Sequence, residues 1–134
     1  MTGAETKIET ILSMKTIAVV GLSPNEIRPS HGVARYLLAQ GYHIIPVNPG
    51  YDEILGLKSY PSLSVVPEPI DIVDVFRRPE QVLPIAEEAV AIGAKALWLQ
   101  LGIVNDAAVQ LAEKAGLLVV QNRCIKIEHQ QRHY

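Results

Sequence analysis

Thr16-Ile-Ala-Val-Val-Gly21-Leu-Ser23-Pro-Asn-Glu-Ile-Arg28-Pro-Ser30-His31-Gly32 is the stretch on which the fold turns. Its first five residues form an unbroken run dominated by β-branched and apolar side chains, the pattern of a strand buried on both faces. Gly21 ends that run and permits a backbone conformation that other residues avoid. A loop follows. Ser30 is then expected to cap a helix carrying Val33, Leu37 and Leu38 on one face and stopping at Gly41. Strand, glycine loop and helix together read as the first half of a βαβ unit.

Outward from this stretch the same alternation continues. Ile8, Ile11 and Leu12 fit one face of a short leading helix. His43-Ile-Ile-Pro-Val47 reads as a second strand, broken by Asn48-Pro49-Gly50, and Pro46 within it marks an edge or irregular position. Gly56-Leu-Lys-Ser-Tyr60 is expected as a short third strand, followed by a turn or short helix over 62–65. Ile70-Asp-Ile-Val-Asp-Val-Phe76 is a strand, and Pro79 suits the first turn of a helix that runs to about Ile92 before Gly93. Ala96-Leu-Trp-Leu99 is a further buried strand. Asn105 or Asp106 caps a helix with Val109, Leu111 and Ala112 that Gly116 ends. Leu117-Leu-Val-Val120 is the last strand, and Ile125 and Ile127 suggest a short C-terminal helix. Strands and helices alternating in this way imply parallel pairing. The expectation is one domain over 1–134: a Rossmann-like, doubly wound α/β fold with a mainly parallel sheet of five or six strands and helices on both faces.

The bulk properties narrow the function. With 134 residues, 49% hydrophobic and 19% charged, the chain is able to bury a sizeable core. A formal net charge of −2 with mixed signs does not resemble a nucleic-acid-binding surface. Cys124 is the only cysteine, so no internal disulfide forms and a reducing compartment is the simpler reading. No apolar stretch has the length of a membrane helix, and the N-terminus lacks the apolar core of a signal peptide. A cytoplasmic protein without membrane or nucleic-acid partners is expected, with a protein partner or self-association left open.

In open parallel sheets, ligands bind outside the carboxyl ends of the strands, where the strand order reverses. That confines the search to 21–32, 48–51, 76–79, 100–105 and 121–124. In the first segment, Gly21 allows close backbone approach, Ser23 and Ser30 offer hydroxyls, and the helix start through His31 favours an anion. Arg28 adds positive charge, and Gly32 would leave room for a phosphate. This is not the usual dinucleotide fingerprint. Ser23 stands where the second glycine belongs, and the second strand ends in Asn48-Pro49 instead of the acid that holds a ribose diol. Asn48, Pro49 and Tyr51 are placed to flank an adenosine or to form an ordinary turn. Phe76, Arg77 and Arg78 close a strand just before a helix, where phosphate or adenine could meet them. Gln100 and Gly102 lie where a ligand arm would run, or else make a structural turn. Asn122 is expected to bond neighbouring loops and hold the mouth of the pocket together. Cys124 reads as a buried small hydrophobe more than as a reactive thiol, although a helix start just after it could lower its pKa.

Other chemistries find little support. His31, His43, His129 and His133 show no metal-ligand spacing, and the polar tail carrying the last two is expected to be loose. Asp71 and Asp74 are predicted to face opposite sides of their strand, which does not suit a shared acid–base site. No catalytic constellation stands out.

Val-Val-Gly21-Leu-Ser23, Val47-Asn-Pro49, Val75-Phe-Arg77, Trp98-Leu-Gln-Leu-Gly102 and Asn122-Arg-Cys124 fall in one order. In that order the chain, over about 15–128, resembles the single-domain coenzyme A-binding proteins, which are similar to the N-terminal domain of the succinyl-CoA synthetase α subunit. The resemblance implies that coenzyme A or an acyl-CoA is the ligand. The loop from Gly21 to Ser23 and the following helix start would take the phosphates. Asn48, Pro49, Phe76 and Arg77 would surround the adenosine, and Gln100 and Gly102 would lie along the pantetheine. The synthetase works through a phosphorylated histidine in a further domain and a second subunit. Residues 1–134 contain neither, so ligase activity is not expected. The alternatives are an NAD(P)-binding redox enzyme or sensor, and a regulatory subunit with a vestigial pocket.

Overall fold

The computed structural model describes residues 3–132. Strand β1 (Thr16–Val20) forms where the β-branched run predicts it, and it is the hub of the sheet. β2 (His43–Val47) pairs with it in parallel on one side, and β5 (Ile72–Val75) on the other. β6 (Ala96–Leu99) and β7 (Leu118–Val120) extend the sheet beyond β5, also in parallel. The spatial order β2-β1-β5-β6-β7 reverses direction between β1 and β5, the mark of a doubly wound fold.

Alternating side chains feed two cores. Ala18, Val20, Val73, Val75, Leu97 and Leu99 pack under helices α3 (Val82–Ala91) and α4 (Asp106–Lys114). Ile17, Val19, Ile72 and Trp98 pack under α1 (Gly3–Leu12), α2 (Pro29–Ala39) and α5 (Ile125–Gln130). Each large apolar side chain removed from water in this way contributes about 1.5–3 kcal/mol. Trp98, fully buried, also donates its indole N–H to Arg123 O at 2.8 Å. Asp74 sits in register between Val19 and Trp98, a fully buried carboxyl on the second of these faces.

Three sequence expectations are corrected. Gly56-Leu-Lys-Ser-Tyr60 does not add a third strand to the main sheet. Glu53–Ile54 (β3) and Leu57–Lys58 (β4) instead form a small antiparallel hairpin, and Tyr60 makes a single parallel bridge to Val47. Leu55 at φ 57° and Gly56 at φ 72° supply the tight reversal that alternation alone did not signal. Second, Ser30 does not cap α2. Pro29 takes the first helical position, where its fixed φ fits and its missing N–H costs nothing, so the cap falls on Arg28 and Ser30 lies within the first turn. Third, the tail is ordered through Gln130. Glu128 and His129 are buried, with His129 Nδ1 2.6 Å from Tyr36 Oη and its ring edge-on to Tyr36 and Tyr42. His133 lies outside the described residues.

Pro46 occupies the edge strand, as its position in the sequence suggested. Its carbonyl points outward and accepts from Tyr60 N–H at 3.1 Å, and Tyr60 O accepts from Asn48 N–H at 2.9 Å. Among the described residues, no helix is long and apolar enough to cross a membrane.

Candidate functional site

The reversal of strand order opens a groove of about 540 Å³ over the carboxyl ends of β2, β1, β5 and β6. Its floor is the crossing of Gly21 and Phe76. Gly21 N–H bonds Val47 O at 2.9 Å, and Phe76 N–H bonds Val20 O at 2.8 Å, so both strand ends are pinned side by side. Gly21 has φ +88°, and a Cβ there would stand 2.2 Å from Phe76 O and 3.2 Å from Arg77 Nε. Only glycine fits, because the Phe76 carbonyl occupies the space that a Cβ would need.

The wall beside α2 is a prefolded turn. Ser23 N–H bonds Ser30 Oγ at 3.0 Å, Asn25 N–H bonds Ser23 Oγ at 3.1 Å, and Ile27 N–H bonds Asn25 Oδ1 at 3.0 Å. These bonds present Arg28, Pro29 and Ser30 to the groove at the amino end of the helix. The second helical residue has no carbonyl of its own helix within reach of its N–H, and the dipole adds positive potential. Arg77 extends along the floor. Among the described residues neither Arg28 nor Arg77 has an ion-pair partner, whereas Arg78 lies 3.7 Å from Glu80. Two unneutralised guanidiniums, backbone at a glycine and a helix start converge on one place. The arrangement suits a phosphate-bearing anion.

The structure gathers Gly21, Ser23, Arg28, Ser30, Asn48, Phe76, Arg77 and Gly102 around this groove. It places the other four candidates elsewhere. His31 is buried beneath the helix, its Nδ1 without a hydrogen-bond partner. Gly32 is exposed, and a Cβ there would meet nothing within 4 Å; it borders a separate hollow with Arg35, Tyr36, Ala39 and Lys126. Pro49 is exposed beside the groove without lining it. Gln100, buried, turns inward to accept Ile125 N–H at 3.2 Å and so fixes the start of α5. Asn48 lines the groove, but its amide is engaged within the protein: Nδ2 donates to Leu22 O at 3.0 Å and Oδ1 accepts from Gly50 N–H at 3.0 Å. It shapes the rim by tying the loop after β2 to the loop after β1.

Pro29, Leu101 and Ile103 also face the groove and were not singled out from sequence. The available signal was their adjacency to Arg28 and Gly102. Asn122 performs the bracing role expected of it, with φ 59° and its Oδ1 accepting Gly102 N–H at 2.7 Å. A larger hollow of about 640 Å³ lies between α3 and α4. It is lined by side chains of the two helices, such as Val90 and Leu111, and no strand end borders it. Among the described residues no cluster of histidine, cysteine and acidic side chains could hold a metal ion.

The profile of the family described as "CoA binding domain" matches residues 15–130. The chain belongs to that family. Within reach of this CoA binding domain, the uncharacterized protein YneT of Bacillus subtilis (strain 168) is 47% identical over 121 residues, covering 90% of each chain. A solved structure, a hypothetical protein from Pyrococcus horikoshii OT3, superposes with a TM-score of 0.92 at 41% identity, covering 98% of this chain and 92% of that one. Acetate–CoA ligase [ADP-forming] I of Archaeoglobus fulgidus is 27% identical over 129 residues, but the match takes 88% of this chain and only 19% of the ligase. The CoA binding domain is thus related both to small proteins of its own size and to one part of a much larger ligase.

Proposed function

We propose that the protein binds coenzyme A or an acyl-CoA without transforming it, with the diphosphate over Gly21 and the start of α2. The observation that carries this reading is the floor of the groove. Gly21 packs against Phe76 O, and Arg77, without an ion-pair partner among the described residues, lies alongside in a member of the CoA binding domain family. Phe76 and Tyr51 offer apolar surface to an adenine, and Asn48 sets the rim between them. Coenzyme A is favoured over NAD because β2 is followed by Asn48, whose amide is already engaged, and no carboxylate stands there to receive a ribose diol. The absence of that carboxylate also spares a ribose phosphate from repulsion. Nothing lining the groove forms a nucleophile–base pair, which supports holding over catalysis.

The test is thermal unfolding with coenzyme A, dephospho-CoA, NAD and NADP. A ligand of the native state raises the midpoint with concentration. Coenzyme A should raise it most. Arg77→Ala should weaken coenzyme A roughly tenfold or more, and dephospho-CoA less, if this guanidinium meets the ribose phosphate. A flat response to coenzyme A, or a stronger one to NADP, would reject the proposal.

A further inference from the structure

The loop over residues 101–104, Leu-Gly-Ile-Val, is apolar, yet Leu101 is 66% and Val104 46% exposed. A single exposed leucine needs no explanation. This loop needs one, because two apolar side chains stand exposed on a backbone that is pinned on both sides. Gly102 N–H bonds Asn122 Oδ1 at 2.7 Å, and Ile103 N–H bonds Gln100 O at 2.9 Å. Asn105, next in the chain, bonds Gln121 Oε1 at 3.1 Å through its N–H and Pro79 O at 2.9 Å through its Nδ2. The result is an apolar ledge whose backbone is hydrogen-bonded in place. It continues directly from the groove, which Leu101 and Ile103 line.

We infer that this ledge seats the acyl chain of a thioester, so that the ligand is a medium-chain acyl-CoA and not free coenzyme A. The inference rests on the coenzyme reading above. With the diphosphate over the end of β1, the end of β6 lies two strand spacings away, about 10 Å. An extended pantetheine arm is longer than that. Laid along the groove toward β6, the arm would bring its sulfur, and whatever is esterified to it, to Leu101 or beyond. A carboxylate or polar acyl group would find no charged side chain on 101–104. A hydrocarbon chain would cover Leu101 and Val104 and remove both from water.

The experiment is titration calorimetry of the full chain with coenzyme A and its acetyl, butyryl, hexanoyl and octanoyl thioesters, each below its micellar concentration. Affinity should rise about two- to fourfold for each added methylene until the ledge is covered. Val104→Ser, at an exposed position outside the groove lining, should flatten that rise and leave coenzyme A affinity unchanged. If coenzyme A binds and every thioester binds equally well, the ledge does not take the acyl chain and the inference is overturned while the coenzyme reading stands. If no member of the series binds, coenzyme A included, both fall.

Discussion

Gly21 shows how much of the groove's floor is settled by one absent atom. Two independent constraints meet there: a left-handed φ and a backbone oxygen 2.2 Å from where a Cβ would be. The first alone costs about 1–2 kcal/mol for a residue other than glycine. The second cannot be relieved by rotating a side chain, because the obstacle is the Phe76 carbonyl. Gly21→Ala should therefore destabilise the fold by at least about 2 kcal/mol in urea unfolding. It should also abolish coenzyme A binding at temperatures where the variant remains folded. A variant that is as stable as the parent and still binds would show that the floor of the groove is not where the ligand lies. Gly21 was legible in the sequence because it ends a run of β-branched residues. Gly32 was misjudged by the same reasoning. Proximity to a helix start says nothing about which side of the helix a position faces, and Gly32 faces away.

The loops after β6 and β7 depend on each other. Asn122 holds φ 59°, where asparagine is tolerated better than most residues, and its side chain fixes Gly102. Asn122→Ala should lose the hydrogen bond and add backbone strain, together about 1–3 kcal/mol by chemical denaturation. Asn122→Gly should lose the bond alone and fall between the parent and the alanine variant. Equal stability of all three would mean that the brace is idle. At this level the sequence was informative wherever a side chain acts locally, as Asn105 does in capping α4 by accepting Ala108 N–H at 3.0 Å. It was uninformative where a partner is distant in the chain. Nothing near Gln100 reveals that its amide reaches Ile125, and nothing near Ser30 that its hydroxyl serves Ser23, although Pro29 beside it did signal the first helical position. The small β3–β4 hairpin was hidden for a related reason. Its two strands are two residues each, too short for a period to register.

The fold as a whole was readable because parallel strands buried on both faces leave continuous apolar runs, and five such runs are present. Asp74 is the exception inside one of them. Its strand was recognised, but not that its carboxyl would be fully buried with neither oxygen hydrogen-bonded to the protein. Burial pushes its pKa well above the ordinary carboxylate value. The native state therefore keeps a proton that the unfolded chain gives up, so this residue favours folding at low pH and loses that contribution as pH climbs toward neutrality. Asp71 runs the other way: burial opposes it, but the N–H groups of Thr16 and Lys15 and the ammonium of Lys95 hold its pKa down, so its contribution fades on acidification. Comparing Asp74→Asn with the parent isolates the first effect. The variant should gain stability relative to the parent as pH rises from the acid range through neutrality, in urea unfolding followed across that range. Parallel curves for the two proteins would show that Asp74 titrates alike folded and unfolded. The border of the sheet carries a different consequence. Because the Pro46 carbonyl points outward, its ring nitrogen does too, so the missing donor falls on the open side of β2, and Tyr60 occupies the acceptor beside it. A foreign strand arriving at that border would find neither a continuous row of donors nor a vacant oxygen at Pro46, which guards the molecule against edge-to-edge polymerisation when it is crowded.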